Sequence, residues 1–165
     1  FIHRNRLIFL AADKSFVRLR EQSGHDDTLT LSGSRQKVHI VARRIHPKLS
    51  DFSGISKDNF TARLYQGKPY YGIDSMIPKS VFALERITLN DQTVPAAELQ
   101  GLFSPDFAAT ARGSNVYEKW EAYYRDSDKT LYLFGRQGSD GAPFDVCFIF
   151  KDGKFQRRYL WGAVI

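Results

Sequence analysis

Apolar and polar residues alternate with period two along most of the chain, the spacing that sends successive side chains to opposite faces of a β-strand. Arg6–Ala11 and Phe16–Arg20 read as a strand pair around an Asp13-Lys14-Ser15 turn. Ser23–Asp27 is a loop by composition, Thr28–Leu31 a short strand, and Ser32-Gly33-Ser34 a turn. Lys37–Arg44 is a clearer strand with Val38, Ile40 and Ala42 on one face, closed by Pro47, which cannot donate to a ladder. Residues 47–59 read as a loop. Phe60–Tyr65 and Pro69–Ile73 flank Gln66-Gly67-Lys68, a hairpin signal. Ser80–Leu89 reads as a strand, with a helical first turn as the alternative, and Asn90-Asp91-Gln92 as a turn.

Pro95 opens the best helix candidate, Ala96–Phe103, because proline suits the first helical position and Ala, Glu and Leu are good helix formers. Val116–Arg125 satisfies both periods. Asn115 with Glu118 suggests a helical capping box, while the turn-like Asp126–Lys129 before Thr130–Phe134 favours a strand for its second half. Phe144–Phe150 is the strongest strand, with apolar side chains on both faces, as a central strand requires. Asp152-Gly153 is a hairpin turn, and Lys154–Trp161 is the returning partner. Eight or more strands with one or two short helices predict an α+β, β-rich, predominantly antiparallel fold. The absence of regular strand–helix alternation argues against a parallel doubly wound sheet.

The chain has 165 residues, which predicts a single domain over 1–165 with a core that needs no metal or disulfide. Aromatic residues make up 14%, and their spread along the chain argues against disorder. The apolar run Leu7–Ala12 is far short of the roughly 20 residues of a membrane-spanning helix. It reads as a first strand after His3-Arg4-Asn5-Arg6, rather than as the end of a targeting segment. The chain begins with Phe1, which leaves room for a segment upstream. Cys147 is the one cysteine, so there is no intrachain disulfide and no cysteine-based zinc site.

The net charge of +6 is uneven. Residues 1–50 hold ten basic and four acidic side chains, whereas residues 51–165 hold fourteen of each. In strand 37–44 the alternation puts Arg35, Lys37, His39 and Arg43 opposite Val38 and Ile40, over about 27 Å if the strand is regular. Arg18 with Arg20, and Arg4 with Arg6, share sides in the same way. Such a cationic plate suits a polyanion, an anionic membrane surface or an acidic protein, and its ordinary reading is a solvated outer face. Among aromatic residues only Phe16 lies near these arginines, and no helix-turn-helix, zinc-finger or RRM signature is present. That argues against nucleic acid and leaves an acidic protein as the expected partner.

The candidate chemistry is sparse. His3, His25, His39 and His46 are scattered, and His25-Asp26-Asp27 is too local to hold a metal well. No metal or cofactor is expected. No nucleophile elbow is present, and Cys147 sits in an apolar run away from positive charge. Glu118 and Glu121 beside Trp120 and Tyr123 leave a sugar- or lipid-processing hydrolase as the alternative reading. Gly135–Pro143, with three glycines, reads as a long loop that displays Arg136, Gln137, Ser139 and Asp140 for binding, or as an ordinary wide hairpin.

Segment 87–103, Tyr123–Lys129, Leu131–Phe134, Gly138–Gly141 and Phe148–Arg158 follow in an order that resembles small exported bacterial α+β proteins, some of them similar to immunity proteins against interbacterial toxins. The resemblance covers about 70 residues and rests on hairpin chemistry. It implies a binder rather than an enzyme, a protein partner such as a toxin, and the periplasm or cell envelope as the compartment. It carries no catalytic residues.

Overall fold

The computed structural model describes residues 13–58, 62–69, 71, 77–105, 107, 120–137 and 144–162, and in it several hairpins are set by two-residue turns of one kind. Ser34-Arg35, Gln66-Gly67 and Asp152-Gly153 each have positive φ at both positions. That backbone twist matches the twist of the strands it joins. Gly33 therefore pairs with Gln36, Tyr65 with Lys68, and Lys151 with Lys154.

All the strand pairings described are antiparallel. One five-stranded sheet has the order β1 (Phe16–Arg18), β10 (Glu121–Arg125), β11 (Thr130–Gln137), β12 (Phe144–Lys151), β13 (Lys154–Trp161). A second has the order β2 (Arg20–Gly24), β3 (Thr28–Gly33), β4 (Gln36–Ile45), β8 (Val81–Leu89), β9 (Gln92–Thr93). A third, small sheet joins β5 (Phe52–Ser53), β6 (Leu64–Tyr65) and β7 (Lys68–Pro69). Helix α1 is Ala96–Leu99, and Leu49–Asp51 is a 3-10 turn. The expected β-rich antiparallel fold with short helical pieces is what the chain adopts.

The two large sheets bury a common core. Ala122, Tyr124, Leu131, Leu133, Phe144, Val146, Phe148 and Phe150 come from the first. Leu29, Leu31, Val38, Ile40, Ala42, Leu84, Ile87 and Leu89 come from the second. The first sheet is apolar on its other face too, where Tyr123, Phe134, Cys147 and Ile149 are buried among Phe16, Tyr132 and Trp161. The expectation of β12 as a central strand with two apolar faces is met.

Several local expectations are corrected. Phe16–Arg20 is two strands, not one. Leu19 is buried between them and donates its N–H to the Ala122 carbonyl at 2.8 Å, and the chain passes there from the first sheet to the second. The helix opened by Pro95 stops at Leu99 rather than Phe103. Gly101 has φ +85°, and a Cβ there would lie 2.7 Å from the Pro69 carbonyl oxygen, so Leu102 and Phe103 continue as bridges to Tyr71 and Ala83. Within Val116–Arg125 the described residues are 120–125, of which Glu121–Arg125 form a strand, and Asn115, Val116 and Glu118 lie outside the described residues. Arg6–Ala11 lies outside them as well.

The nine-residue loop is also shorter than its composition suggests. β11 continues through Gly135, Arg136 and Gln137, which pair with Val146, Asp145 and Phe144. Gly135 is a packing glycine: a Cβ there would run into the buried Trp120 ring. Gly135→Ala is therefore expected to destabilise the fold by about 1–3 kcal/mol, the usual cost of overpacking. Chemical denaturation of the two proteins measures this, and an unchanged midpoint would show that the ring does not pack there.

Candidate binding face

β4 lies between β3 and β8, so its side chains meet neighbours on both sides. Val38, Ile40 and Ala42 point into the core, which leaves Lys37, His39, Val41 and Arg43 on the outer face. The register adds cross-strand rows. Arg20 pairs with Ser32, and Ser32 with Lys37. Thr30, His39, Thr88 and Thr93 form a second row, and Thr28, Val41 and Arg86 a third. A β-bulge then inserts Glu85 between Val41–Arg86 and Ala42–Leu84, so Glu85 and Arg86 are both exposed. The face thus carries Arg20, Lys37, Arg43 and Arg86 with a hydroxyl ladder between them.

The ion pair described on this face is weak. Arg43 Nε lies 4.0 Å from Glu85 Oε1, with side chains 69% and 48% exposed. Pairs this exposed contribute on the order of 0–1 kcal/mol, so Arg43 stays available to a ligand. His39 sits at the centre, half-buried, with Nδ1 3.1 Å from Thr30 Oγ1. Burial, and then the Arg86 and Lys37 charges, pull its pKa below 6.5. The imidazole is therefore neutral at pH 7, and the positive charge of the face comes from its lysine and arginines.

Arg35 does not belong to the plate. It occupies the turn, with φ +62°, ahead of the strand. There it faces Asp126 in the β10–β11 turn, whose carboxyl is held below the usual range by the Lys129 hydrogen bond and charge and, less strongly, by Arg35. Lys37, His39 and Arg43 stand together as the alternation predicts. Arg86 was missed, because only the β4–β8 pairing brings it beside Val41; its signal in the sequence is its place in the predicted strand 80–89. Arg136 and Gln137 belong to β11 rather than to a loop tip, and Ser139 and Asp140 lie outside the described residues.

The other candidates resolve into structural roles. Glu121 is buried, accepts a hydrogen bond from Tyr123 Oη at 2.8 Å, and is ion-paired with Arg18. Burial first, then the charge and hydrogen bond of Glu121, push the Tyr123 phenol above its ordinary range. This carboxylate is spent on holding β1 to β10. The Cys147 thiol is pushed far above the ordinary thiol range by burial, which removes the thiolate a nucleophile needs. His46 Nδ1 lies 3.3 Å from the Lys79 carbonyl oxygen. Among the described residues no group of three or more His, Cys, Asp or Glu is placed to hold a metal, and no helix is long and apolar enough to cross a membrane.

The depressed His39 pKa has a testable origin. In an NMR titration His39 is expected to titrate below 6.5, and Arg86→Gln to move its midpoint upward. Folded His39 resists protonation, so its neutral-state stability is complete above pH 6.5 and falls as the pH drops below that value. A midpoint that ignores Arg86→Gln would separate these two side chains. Comparison with protein-family models, with curated proteins and with solved structures finds no match for this chain.

Proposed function

We propose that this is a non-enzymatic binding protein that docks an acidic protein partner on the outer face of its second sheet. The observation that carries the reading is the gathering of Lys37, Arg43 and Arg86 from two paired strands, with Arg20 from a third, on one face where Glu85 pairs only weakly with Arg43. A surface of one sign steers an oppositely charged partner and raises its association rate. Hydroxyls from Thr28, Thr88 and Thr93 supply polar contacts between the charges.

What the face lacks supports a protein over a nucleic acid as the partner. Non-specific binding of single-stranded nucleic acid uses aromatic rings to stack bases. Among the described residues the outer positions of this sheet carry none, and Phe16 lies in the aromatic cluster of the other sheet, under the Arg125 guanidinium at 4.7 Å. The hydrolase alternative loses support because Glu121 is committed to Arg18 and Tyr123. An inhibitor or immunity protein against a bacterial toxin, acting in the periplasm or cell envelope, is the specific form of the reading. Its support is the sequence resemblance.

The test is affinity capture from the source organism with the natural chain and with the double variant Lys37→Glu/Arg86→Glu. The natural chain is expected to capture an acidic protein. The double variant should associate with it about tenfold more slowly at low salt, a difference that shrinks as salt is added. Capture of nucleic acid instead, or an association rate indifferent to both charge reversal and salt, would overturn the reading.

A further inference from the structure

At the lower end of the cationic face a cleft of about 530 Å³ opens between β4, β8, α1 and the β6–β7 turn. Four of its lining residues, Ala83, Ala96, Ala97 and Gly101, are too small to fill it. Three features keep it open. β9 pairs only with Thr88 and Leu89, so the lower half of β8 is left to Leu102–Ser104. Gly101 must stay a glycine, since it approaches Pro69 closely. α1 ends after four residues.

The walls are held rigidly. The β13 bulge at Gln156 turns Arg158 inward, with its side chain 19% exposed. Its guanidinium donates to the Glu98 carbonyl and lies 3.8 Å from the Glu98 carboxylate, which ties α1 to β13. On the opposite wall Tyr65 meets Phe103 edge-on at 5.1 Å and Phe52 at 5.3 Å. Arg43 stands at the mouth, as both the last cation of the face and a lining residue of the cleft, with the Glu85 carboxylate, also in the lining, 4.0 Å away.

We propose that this cleft is the anchor pocket of the interface, and that it takes an apolar side chain, best an aromatic one, flanked in the partner's sequence by a carboxylate that reaches Arg43. This rests on the reading of the face as a dock for an acidic protein, and it names the chemistry of that partner. Interfaces draw most of their energy from a few apolar side chains seated in desolvated pockets, while charges around them set orientation and rate. Here the cationic face supplies the charge and the cleft the seat. Arg43 is the more exposed of the two charges at the mouth, 69% against 48% for Glu85, so it favours an acidic neighbour to the anchor against the opposing carboxylate.

Three capped tripeptides test this by NMR titration of the full chain: acetyl-Asp-Phe-Glu-amide, acetyl-Asp-Ala-Glu-amide and acetyl-Lys-Phe-Lys-amide. The first is expected to shift the amides of Ala83, Ala97 and Gly101 and to bind about tenfold more tightly than each of the others. Arg43→Gln should abolish the preference for acidic flanks, and Ala97→Trp, which fills the cleft from an exposed helical position, should abolish the shifts in a chain that stays folded. Equal binding of the phenylalanine and alanine peptides would overturn the anchor. Equal binding of the acidic and basic peptides would overturn the role of Arg43, and no shift at these amides would overturn the site. The titration needs no natural partner and leaves Lys37 and Arg86 intact, so its failure is distinct from failure of the capture experiment.

Discussion

β12 is buried on both sides, and the rest of the structure is arranged around that constraint. Phe144, Val146, Phe148 and Phe150 press against the second sheet, while Cys147 and Ile149 press against Tyr123, Phe134 and their neighbours. Burying an apolar side chain of this size contributes about 1.5–3 kcal/mol, so one strand organises two cores. The first sheet has therefore no open polar face to offer a partner among its central strands. Among the described residues, the second sheet is covered across one face and, on the other, only at its Ile45–Val81–Ala83 end, where Phe52, Ala62 and Phe103 pack on it; the rest of that outer face is where the charge of the N-terminal third is displayed.

Closure between the sheets depends on contacts at points where regular alternation is broken. Leu19 breaks the first strand so that one stretch of chain serves both sheets. Gly135 yields its side-chain space to Trp120. Bulges at Glu85 and Gln156 set Arg86 outward and Arg158 inward, and these two arginines then do different things. Arg86 joins the cationic face, whereas Arg158 fastens α1, a wall of the neighbouring cleft. Local irregularity in the ladders thus connects the packing of the core to the shape of the proposed interface.

Much of this was legible in the sequence where the cause is local. The alternation of Val38, Ile40 and Ala42, the two-faced apolar run 144–150, the Asp152-Gly153 turn and the helix start after Pro95 all depend on neighbours in the chain. What was misread depends on distant partners. Gly135 reads as loop flexibility unless Trp120 is known to lie over it. Arg35 continues the alternation of strand 37–44 on paper, but the hairpin to Gly33 takes it into the turn. Arg86 enters the face only through the β4–β8 register, and the cleft exists only because α1 stops short of Phe103. The charge imbalance was visible from composition. That part of it becomes one surface, with Arg86 added from outside the basic third, is a property of the sheet.

The central claim is that the central strands of the first sheet are sealed on both faces, which leaves the second sheet's outer face as the surface proposed for recognition. Cys147, the chain's single cysteine, reports on that seal directly, because it lies in β12 on the face turned away from the second sheet. The measurement is its reaction with a small aromatic disulfide reagent such as DTNB, in native buffer and in denaturant. No appreciable reaction is expected in native buffer, and one equivalent of thiol is expected to react on unfolding. Prompt reaction of the native protein would show the second face of β12 open to solvent and would contradict the claim.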